Sequence, residues 1–239
     1  KKISGFESAI RVAQKFMSLM TTQTLDGRVY EIDTRLRPSG EAGLLVTSLK
    51  AFEQYQLKNA WLWEHQALVR ARSIAGEQSL RDKFEALRCR ILIQPRDEAK
   101  VREEVLKMRQ KMKDHLGSSK EQQKDGIFHL KQDAGGIVDI EFMAQYAVLA
   151  WSGANSDLAH YSDNVRILED AANAGCLSSD DATALIQAYL SERAESHRLA
   201  LANQSMQVNA ADWFDTREVV CKLWQRLIDP TATFALERE

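Results

Sequence analysis

Apolar residues recur three or four positions apart along most of this chain, and that spacing predicts amphipathic helices. Only three prolines and eleven glycines interrupt the 239 residues, so we expect long helices to dominate. The predicted helices cover about residues 4–22, 49–59, 61–75, 79–93, 97–116, 137–152, 162–174, 178–202 and 212–227. Three of these helices have cap signals in the sequence. Ser48 is typical of a helix start, Ser178 and Asp181 have the spacing of a capping box, and Gly117 is typical of a helix end.

Residues 28–36 have a different pattern, in which side chains alternate between two faces as in a β-strand. One predicted face is partly apolar and the other is charged: Tyr30, Ile32, Thr34 and Leu36 on the first, Glu31, Asp33, Arg35 and Arg37 on the second. Pro38, Gly40 and Gly43 then predict a loop. We therefore expect one strand with a buried face and a charged face.

The second part of the chain is expected to be a helical bundle with short connections. A loop at 117–125 and a short extended segment at 126–131 are the exceptions. The predicted fold class is α+β, predominantly helical, with a boundary near Pro95 that separates residues 1–95 from an all-helical domain at 96–239.

Composition limits the classes of function. The net charge is −2, which gives no bulk electrostatic reason to expect nucleic acid or an anionic membrane as partner. The three cysteines are widely spaced and form neither a disulfide framework nor a zinc pattern, so we expect buried, inert thiols. No signal peptide or membrane-length apolar run is visible, which favours a cytoplasmic protein.

The charged face of the predicted strand is the first candidate site. Asp33, Arg35 and Arg37 would project from one side within about 13 Å, at a rise of roughly 3.3 Å per residue. A carboxylate is a suitable ligand for Mg²⁺, and arginine side chains grip phosphate oxygens in bidentate fashion. The alternative, which periodicity alone favours, is a solvent-facing strand with alternating ion pairs.

A second candidate is the paired glycine at 135–136, which precedes a helix. Free N–H groups and the dipole at such a helix start can hold an anion, and Lys131 could add a positive charge beside Gly135 and Gly136. Asp139 and Glu141 lie in an otherwise apolar helix, so we expect at least one of them to be partly buried and in need of a partner. Helix capping and structural ion pairing are as plausible as a functional role.

A third stretch, Trp61 to Arg72, carries two tryptophans that we expect to pack in a core or a domain interface rather than to stack on a ligand. Phosphate-loop, kinase, zinc-protease, nucleophile-elbow and dinucleotide motifs are all absent from the sequence. Hydrolase and dehydrogenase functions therefore lack their usual support.

These stretches together resemble the glutamine synthetase adenylyltransferase family. The matching segments are Tyr30-Glu-Ile-Asp-Thr-Arg-Leu-Arg-Pro-Ser-Gly40, Trp63-Glu-His-Gln-Ala-Leu-Val-Arg-Ala-Arg72, Asp133-Ala-Gly-Gly-Ile-Val-Asp-Ile-Glu-Phe142 and Ser162-Asp-Asn-Val-Arg-Ile-Leu168. Such proteins resemble two tandem copies of a polymerase β-like nucleotidyltransferase domain with a helical bundle. One copy adds AMP to glutamine synthetase and the other removes it.

The resemblance implies the adding copy, and it makes Asp33 a catalytic carboxylate and a ligand of Mg²⁺. Arg35, Arg37, Lys131, Gly135 and Gly136 become candidate nucleotide or phosphate ligands. ATP and glutamine synthetase are the implied substrates, with the PII signalling protein and glutamine as partners. The Gly-Ser and Asp-x-Asp element that holds the other two carboxylates does not occur in this sequence, so we expect residues 1–95 to be a partial domain, and the chain to be a fragment of a longer enzyme that is catalytically incomplete alone.

Two other functions stay open. One is a non-catalytic regulatory module, in which the helical part responds to PII or glutamine. The other is the deadenylylating copy, a phosphorolytic activity on the same fold.

Overall fold

The computed structural model describes residues 5–25, 27–28, 31–234 and 236. These residues form two compact units, Lys1–Glu64 and His65–Glu239. The domain boundary near Pro95 stays a prediction. Across the described residues the structure is mostly helical, with a single two-stranded sheet, which confirms the predicted predominantly helical α+β class.

The elements follow the predicted order closely. In chain order they are α1 (Gly5–Thr21), α2 (Leu49–Lys58), α3 (Leu62–Val69), α4 (Gln78–Leu92), α5 (Glu98–Leu116), α6 (Lys120–Lys124), β1 (Ile127–His129), α7 (Ile137–Trp151), α8 (Asn164–Asn173), α9 (Ser179–Leu201), β2 (Gln207–Asn209) and α10 (Phe214–Leu227). Three short 3₁₀ turns lie at Gly40–Ala42, Ser156–Ala159 and Ala211–Trp213. The division between the two units falls within α3.

The predicted strand at 28–36 is wrong where the structure describes it. Residues 31–35 have no regular secondary structure, and Tyr30 lies outside the described residues. A strand needs a hydrogen-bonded neighbour, and the described chain has no strand paired with this segment. Exposed and partly buried side chains alternate from Glu31 to Arg35, as the pattern predicted. Leu36, which was expected on the buried face, is 70% exposed.

In the first unit, Ser48 caps α2 as predicted, because its side chain accepts a hydrogen bond from the Ala51 N–H. Helix α1 keeps its amphipathic spacing, but no residue of it is buried. Trp61, expected in a core or interface, is 69% exposed. The first unit therefore buries little apolar surface.

The second unit is organised around α7. Twelve of its fifteen residues are buried, and α5, α8, α9 and α10 all pack against it. A helix that is apolar on every face must be enclosed by other elements, and this explains why α7 is central.

A small antiparallel sheet closes one side of this bundle. β1 pairs with β2, with Phe128 opposite Val208, and Phe128 and Leu130 form an apolar cluster with Leu199 of α9. The sequence indicated β1 as a short extended segment but gave no signal for β2. The predicted loop at 117–125 contains α6, which has a capping box formed by Ser119 and Gln122.

Arg88 connects the second unit through backbone carbonyls. Its side chain is 1% exposed and donates to the carbonyl oxygens of Leu68 and Val69 at the end of α3 and of Ala159 in the second 3₁₀ turn. Burial lowers the pKa of Arg88. Backbone carbonyl groups at the end of a helix have no donor within the helix. The Arg88 guanidinium supplies donors for the carbonyl groups at these ends.

The thiols are all free. Cys221 is buried, and burial raises its pKa to about 12, which confirms the predicted inert thiol at this position. Cys89 and Cys176 are only partly buried. No helix within the described ranges is long and apolar enough to pass through a bilayer.

Candidate functional site

Asp33 and Arg35 form an exposed ion pair in the first unit. Arg35 Nη2 lies 2.6 Å from Asp33 Oδ2, and the Arg35 backbone N–H donates to Oδ1 at 2.8 Å. The Arg35 side-chain hydrogen bond lowers the pKa of Asp33 to about 2, and in turn Asp33 raises the pKa of Arg35. The carboxylate is therefore ionised at neutral pH but is already neutralised by its neighbour.

Arg37 holds the loop that follows. Its guanidinium donates to the carbonyl oxygens of Thr34, Glu41 and Gly43 at 2.5, 3.0 and 3.2 Å. Three acceptors spread over ten residues fix the shape of the turn, because a planar guanidinium presents its donors in a rigid arrangement. In this conformation Arg37 binds the protein's own backbone.

The residues at this motif do not make a magnesium site by themselves. Asp33 is the one carboxylate of the motif with a predicted role in metal binding. The described parts of the chain contain no group of three His, Cys, Asp or Glu side chains placed to hold a metal ion. Mg²⁺ prefers six oxygen ligands with near-octahedral geometry. Metal binding by Asp33 stays a prediction that requires ligands beyond those described.

The paired glycines lie at the buried start of α7 in the second unit. Gly135 N–H donates to Asp139 Oδ2 at 2.7 Å, and Gly136 N–H donates to the Asp133 carbonyl at 3.1 Å. Ile137 and Val138 donate to the carbonyls of residues 130 and 131. An anion at this helix start would have to displace acceptors that the protein supplies, so anion binding by Gly135, Gly136 and the exposed Lys131 stays a prediction.

Close packing explains why glycine occupies both positions. Gly135 has φ of +82°, and a Cβ there would lie 2.9 Å from the Arg217 backbone in α10. A Cβ on Gly136 would collide with the Leu130 carbonyl oxygen. Only glycine lets α7 start this close to α10 and to the end of the β1 segment.

Asp139 is the buried carboxylate that the apolar pattern of α7 predicted. Its side chain is 5% exposed, and Oδ1 accepts from Arg109 Nε at 2.5 Å. Arg109, 3% exposed, also donates through Nη2 to the carbonyls of Gln132 and Asp133. The prediction of burial with a partner is confirmed, and the pair joins α5 to α7 through the glycine turn.

Glu141, two residues further on, is only partly buried and lies 3.9 Å from Arg70. Asp133 is buried too, and its carboxylate accepts from the backbone N–H groups of Ser118 and His129. Near Asp133, a Cβ on Gly117 would lie 3.2 Å from Oδ1. Gly117 ends α5 in an extended backbone conformation, with φ of −74°. Glycine is therefore required there by the close approach of neighbouring atoms and not by a left-handed cap.

Glu192 of α9 lies near this pair without a partner of its own. It is completely buried, and neither carboxyl oxygen has a hydrogen-bond partner. Burial, with a smaller contribution from the negative charge of Asp139, raises the pKa of Glu192 to about 9, although Arg217 opposes the shift. Glu192 is therefore protonated and uncharged at neutral pH.

Arg217 of α10 completes the cluster. Its Nε donates to the Ala134 carbonyl at 3.3 Å, and its guanidinium lies 4.2 Å from the centre of the Phe128 ring. Burial lowers the pKa of Arg217, while the negative charges of Asp133 and Asp139 oppose that change. We call Arg109, Asp133, Asp139, Glu192 and Arg217 the buried charge cluster.

Three members of this cluster were not predicted from the sequence: Arg109, Glu192 and Arg217. Arg109 follows Val101 and Val105 at intervals of four on the buried stripe of α5. That spacing was the available signal. Glu192 and Arg217 lie in helices with many charged residues, where no pattern distinguishes them.

Two family models match the chain, and both describe enzymes that transfer nucleotidyl groups. Residues 1–87 match the model for glutamate-ammonia ligase adenylyltransferase, and residues 106–221 match the model for PII-uridylyltransferase. The first match contains the Asp33 motif, and the second contains the buried charge cluster.

Curated relatives extend the first of these matches to the whole chain. A bifunctional glutamine synthetase adenylyltransferase/adenylyl-removing enzyme of Acinetobacter baylyi is 86% identical over all 239 residues. Proteins with the same name from Pseudomonas aeruginosa and Hahella chejuensis are 48% and 47% identical over 95% and 91% of the chain. The chain belongs to the glutamate-ammonia ligase adenylyltransferase family, and it spans about a quarter of the length of these relatives, 26%, 24% and 23% respectively.

Asp139→Asn tests the central ion pair. The substitution leaves Arg109 buried without a counter-charge, so we expect the free energy of unfolding to fall by about 3 kcal/mol or more. Urea denaturation followed by circular dichroism measures the change. Glu141→Gln, the same chemical change on the same helix, is the control and should stay within about 0.5 kcal/mol of the parent. Equal effects of the two variants would contradict the importance assigned to the pair.

Glu192→Gln tests the buried carboxyl. Its pKa is about 9 in the folded chain against an ordinary 4.5. Between these values the folded state keeps a proton that the unfolded state has lost, so stability falls as pH rises, by up to about 1.4 kcal/mol per pH unit. Unfolding free energies at pH 5 and pH 8 should show the variant similar to the parent at pH 5 and more stable at pH 8. Glu195→Gln on the same helix should not remove the decline.

Proposed function

We propose that this chain contributes to the transfer of AMP from ATP to a tyrosine of glutamine synthetase, as part of a longer enzyme that regulates nitrogen assimilation. The observation that carries the proposal is the 86% identity over the whole chain to a relative named for adenylyl transfer and adenylyl removal. The adding activity is assigned here because the Asp33 motif resembles the adding copy. We place the enzyme in the cytoplasm, where its three free thiols stay reduced.

In the proposed reaction the tyrosine oxygen attacks the α-phosphorus of ATP. A bond forms between that oxygen and phosphorus, the bond to the leaving pyrophosphate breaks, and the phenol proton goes to a base. Asp33, whose pKa is about 2, is a weak base, so its proposed role is that of a fixed negative charge and an oxygen ligand rather than a proton acceptor.

Arg35 and Arg37 have different proposed roles. Arg35 is exposed and paired only within the motif, so it can exchange Asp33 for a phosphate oxygen when nucleotide and cation bind. Arg37 is committed to three backbone carbonyls and keeps the loop in shape. Mg²⁺ belongs to the proposal as the usual companion of ATP, with Asp33 as one of its ligands.

Glutamine synthetase is the proposed protein substrate, since the relatives' names contain it. PII signalling protein and glutamine are proposed as regulatory partners. The match of residues 106–221 to a PII-uridylyltransferase model supports the proposal that PII binds the helical bundle.

Asp33→Asn in the full-length enzyme is the direct test. Adenylylation of glutamine synthetase should fall by roughly 100-fold or more, because the amide cannot supply the negative charge. Glu31→Gln, the same chemical change at a more exposed acid two residues earlier, should keep near-normal activity. Transfer of labelled AMP to purified glutamine synthetase measures the activity.

Removal of AMP from modified glutamine synthetase, assayed on the same Asp33→Asn preparation, tests the alternative copy. Preserved removal with lost addition supports the adding assignment, and circular dichroism with thermal denaturation checks that the variant is folded. Lost removal with preserved addition would assign this motif to phosphorolytic deadenylylation instead. Full addition activity in a folded Asp33→Asn enzyme would refute the role of Asp33.

A non-catalytic regulatory module is the second candidate for this chain. The motif has one carboxylate with a predicted metal role, Asp33, whereas two-metal nucleotidyl transfer needs several, and this favours the regulatory module. Separate calorimetric titrations of the chain with Mg²⁺-ATP and with PII protein distinguish the two. Binding of PII without measurable ATP binding supports the module, and ATP binding that Asp33→Asn abolishes supports a nucleotide site.

A further inference from the structure

Ser39 is a strained residue in the loop that follows the Asp33 motif. Its φ is +64°, in the left-handed region that residues other than glycine rarely adopt. Arg37 gives this loop its shape, but the carbonyl groups to which it donates all belong to residues 34–43. A strained backbone conformation persists where surrounding contacts hold it. A contact from another element is therefore expected at Ser39.

The Tyr55 hydroxyl, on α2, supplies this contact. It accepts a hydrogen bond from the Ser39 backbone N–H, which acts to lower the Tyr55 pKa, while burial and Glu64 together outweigh this bond and raise the pKa. The same hydroxyl donates to Glu64 Oε1 at 2.9 Å. Glu64 Oε2 accepts from the Trp61 N–H at 2.9 Å, just before α3 begins. One hydroxyl therefore ties Ser39 to α2 and to the start of α3.

A series of hydrogen bonds joins this contact to Asp33. The N–H of Gly40, next to Ser39, donates to the Arg37 carbonyl at 2.8 Å. The Arg37 N–H donates to the Arg35 carbonyl at 2.9 Å. The Arg35 N–H in turn donates to Asp33 Oδ1 at 2.8 Å. The position of the Asp33 carboxylate therefore depends on where Ser39 is held.

We propose that Tyr55 is a positioning residue for adenylyl transfer, which holds Asp33 in place through Ser39. Glu64 orients the Tyr55 hydroxyl by accepting its proton. This inference rests on the function proposed above for Asp33. Tyrosine suits the role because its hydroxyl accepts from a backbone N–H and donates to a carboxylate at the same time. Group transfer depends steeply on geometry, so a displaced Asp33 slows the reaction even when the protein substrate still binds.

Tyr55→Phe in the full-length enzyme tests the proposal, because it removes the hydroxyl and keeps the ring. We expect kcat for adenylylation of glutamine synthetase to fall by roughly tenfold, with KM for glutamine synthetase unchanged. Glu64→Gln leaves one acceptor oxygen for two donors, the Tyr55 O–H and the Trp61 N–H, and should lower kcat by a smaller factor. Transfer of labelled AMP at varied concentrations of glutamine synthetase measures both constants.

A double variant tests whether Tyr55 acts through Asp33. In an Asp33→Asn background, Tyr55→Phe should cause no more than about a twofold further loss, because the effects of residues in one hydrogen-bond network are not additive. Tyr161→Phe is the control. It removes the hydroxyl of another partly buried tyrosine, whose ring packs against the Arg166 guanidinium, and should leave kcat unchanged. Thermal denaturation shows whether each variant is folded, and Glu64→Gln decides the test if Tyr55→Phe does not fold.

Three results would overturn the role of Tyr55 while leaving the function of Asp33 intact. They are an unchanged kcat in folded Tyr55→Phe and Glu64→Gln enzymes, a raised KM for glutamine synthetase without a loss of kcat, or a full tenfold loss added to that of Asp33→Asn. Full activity of a folded Asp33→Asn enzyme would instead refute the proposed function, and the positioning role with it.

Discussion

The second unit depends on the buried contact between Arg109 and Asp139. A single charge in a protein interior is costly, but here each ion also uses one further polar atom, Arg109 Nη2 or Asp139 Oδ2, to bind the backbone of the turn that joins β1 to α7. The guanidinium holds the carbonyls of that turn, and the carboxylate holds its Gly135 N–H. The ion pair therefore determines where the central helix begins, and the packing of α5, α8, α9 and α10 around α7 follows from that starting point.

Charge balance explains the rest of the buried cluster. Two guanidiniums, Arg109 and Arg217, face two carboxylates that accept hydrogen bonds, Asp133 and Asp139. Neither guanidinium donates a hydrogen bond to Glu192, and burial keeps its carboxyl protonated. Ionising a fifth buried group without a hydrogen-bonded counter-charge would cost free energy.

The sequence predicted the helices well because their apolar spacing is a local property. It also predicted a buried acid near the start of α7, since Asp139 interrupts an otherwise apolar run. It could not identify Arg109 as the partner, because a pairing across thirty residues depends on how two helices pack. The prediction of a strand at 28–36 was wrong for a related reason. Alternation describes the directions of side chains, whereas a strand exists only with a hydrogen-bonded neighbour. At the candidate site, the Asp33 and Arg35 pairing matches the alternative of surface ion pairs, and the predicted roles in phosphate and metal binding depend on groups outside the described chain.

The two glycines before α7 have a consequence for how related sequences are compared. A glycine pair ahead of a helix suggests a loop that wraps a phosphate, yet here Gly135 is the place where the backbone of α10 rests and Gly136 is where the chain leaving β1 passes. A homologue that replaces Gly135 must move α10, because a Cβ there would meet the backbone of residue 217 as well as its Cβ. Glycine at position 135 therefore marks how closely α10 approaches the start of α7 in proteins that share this helical arrangement.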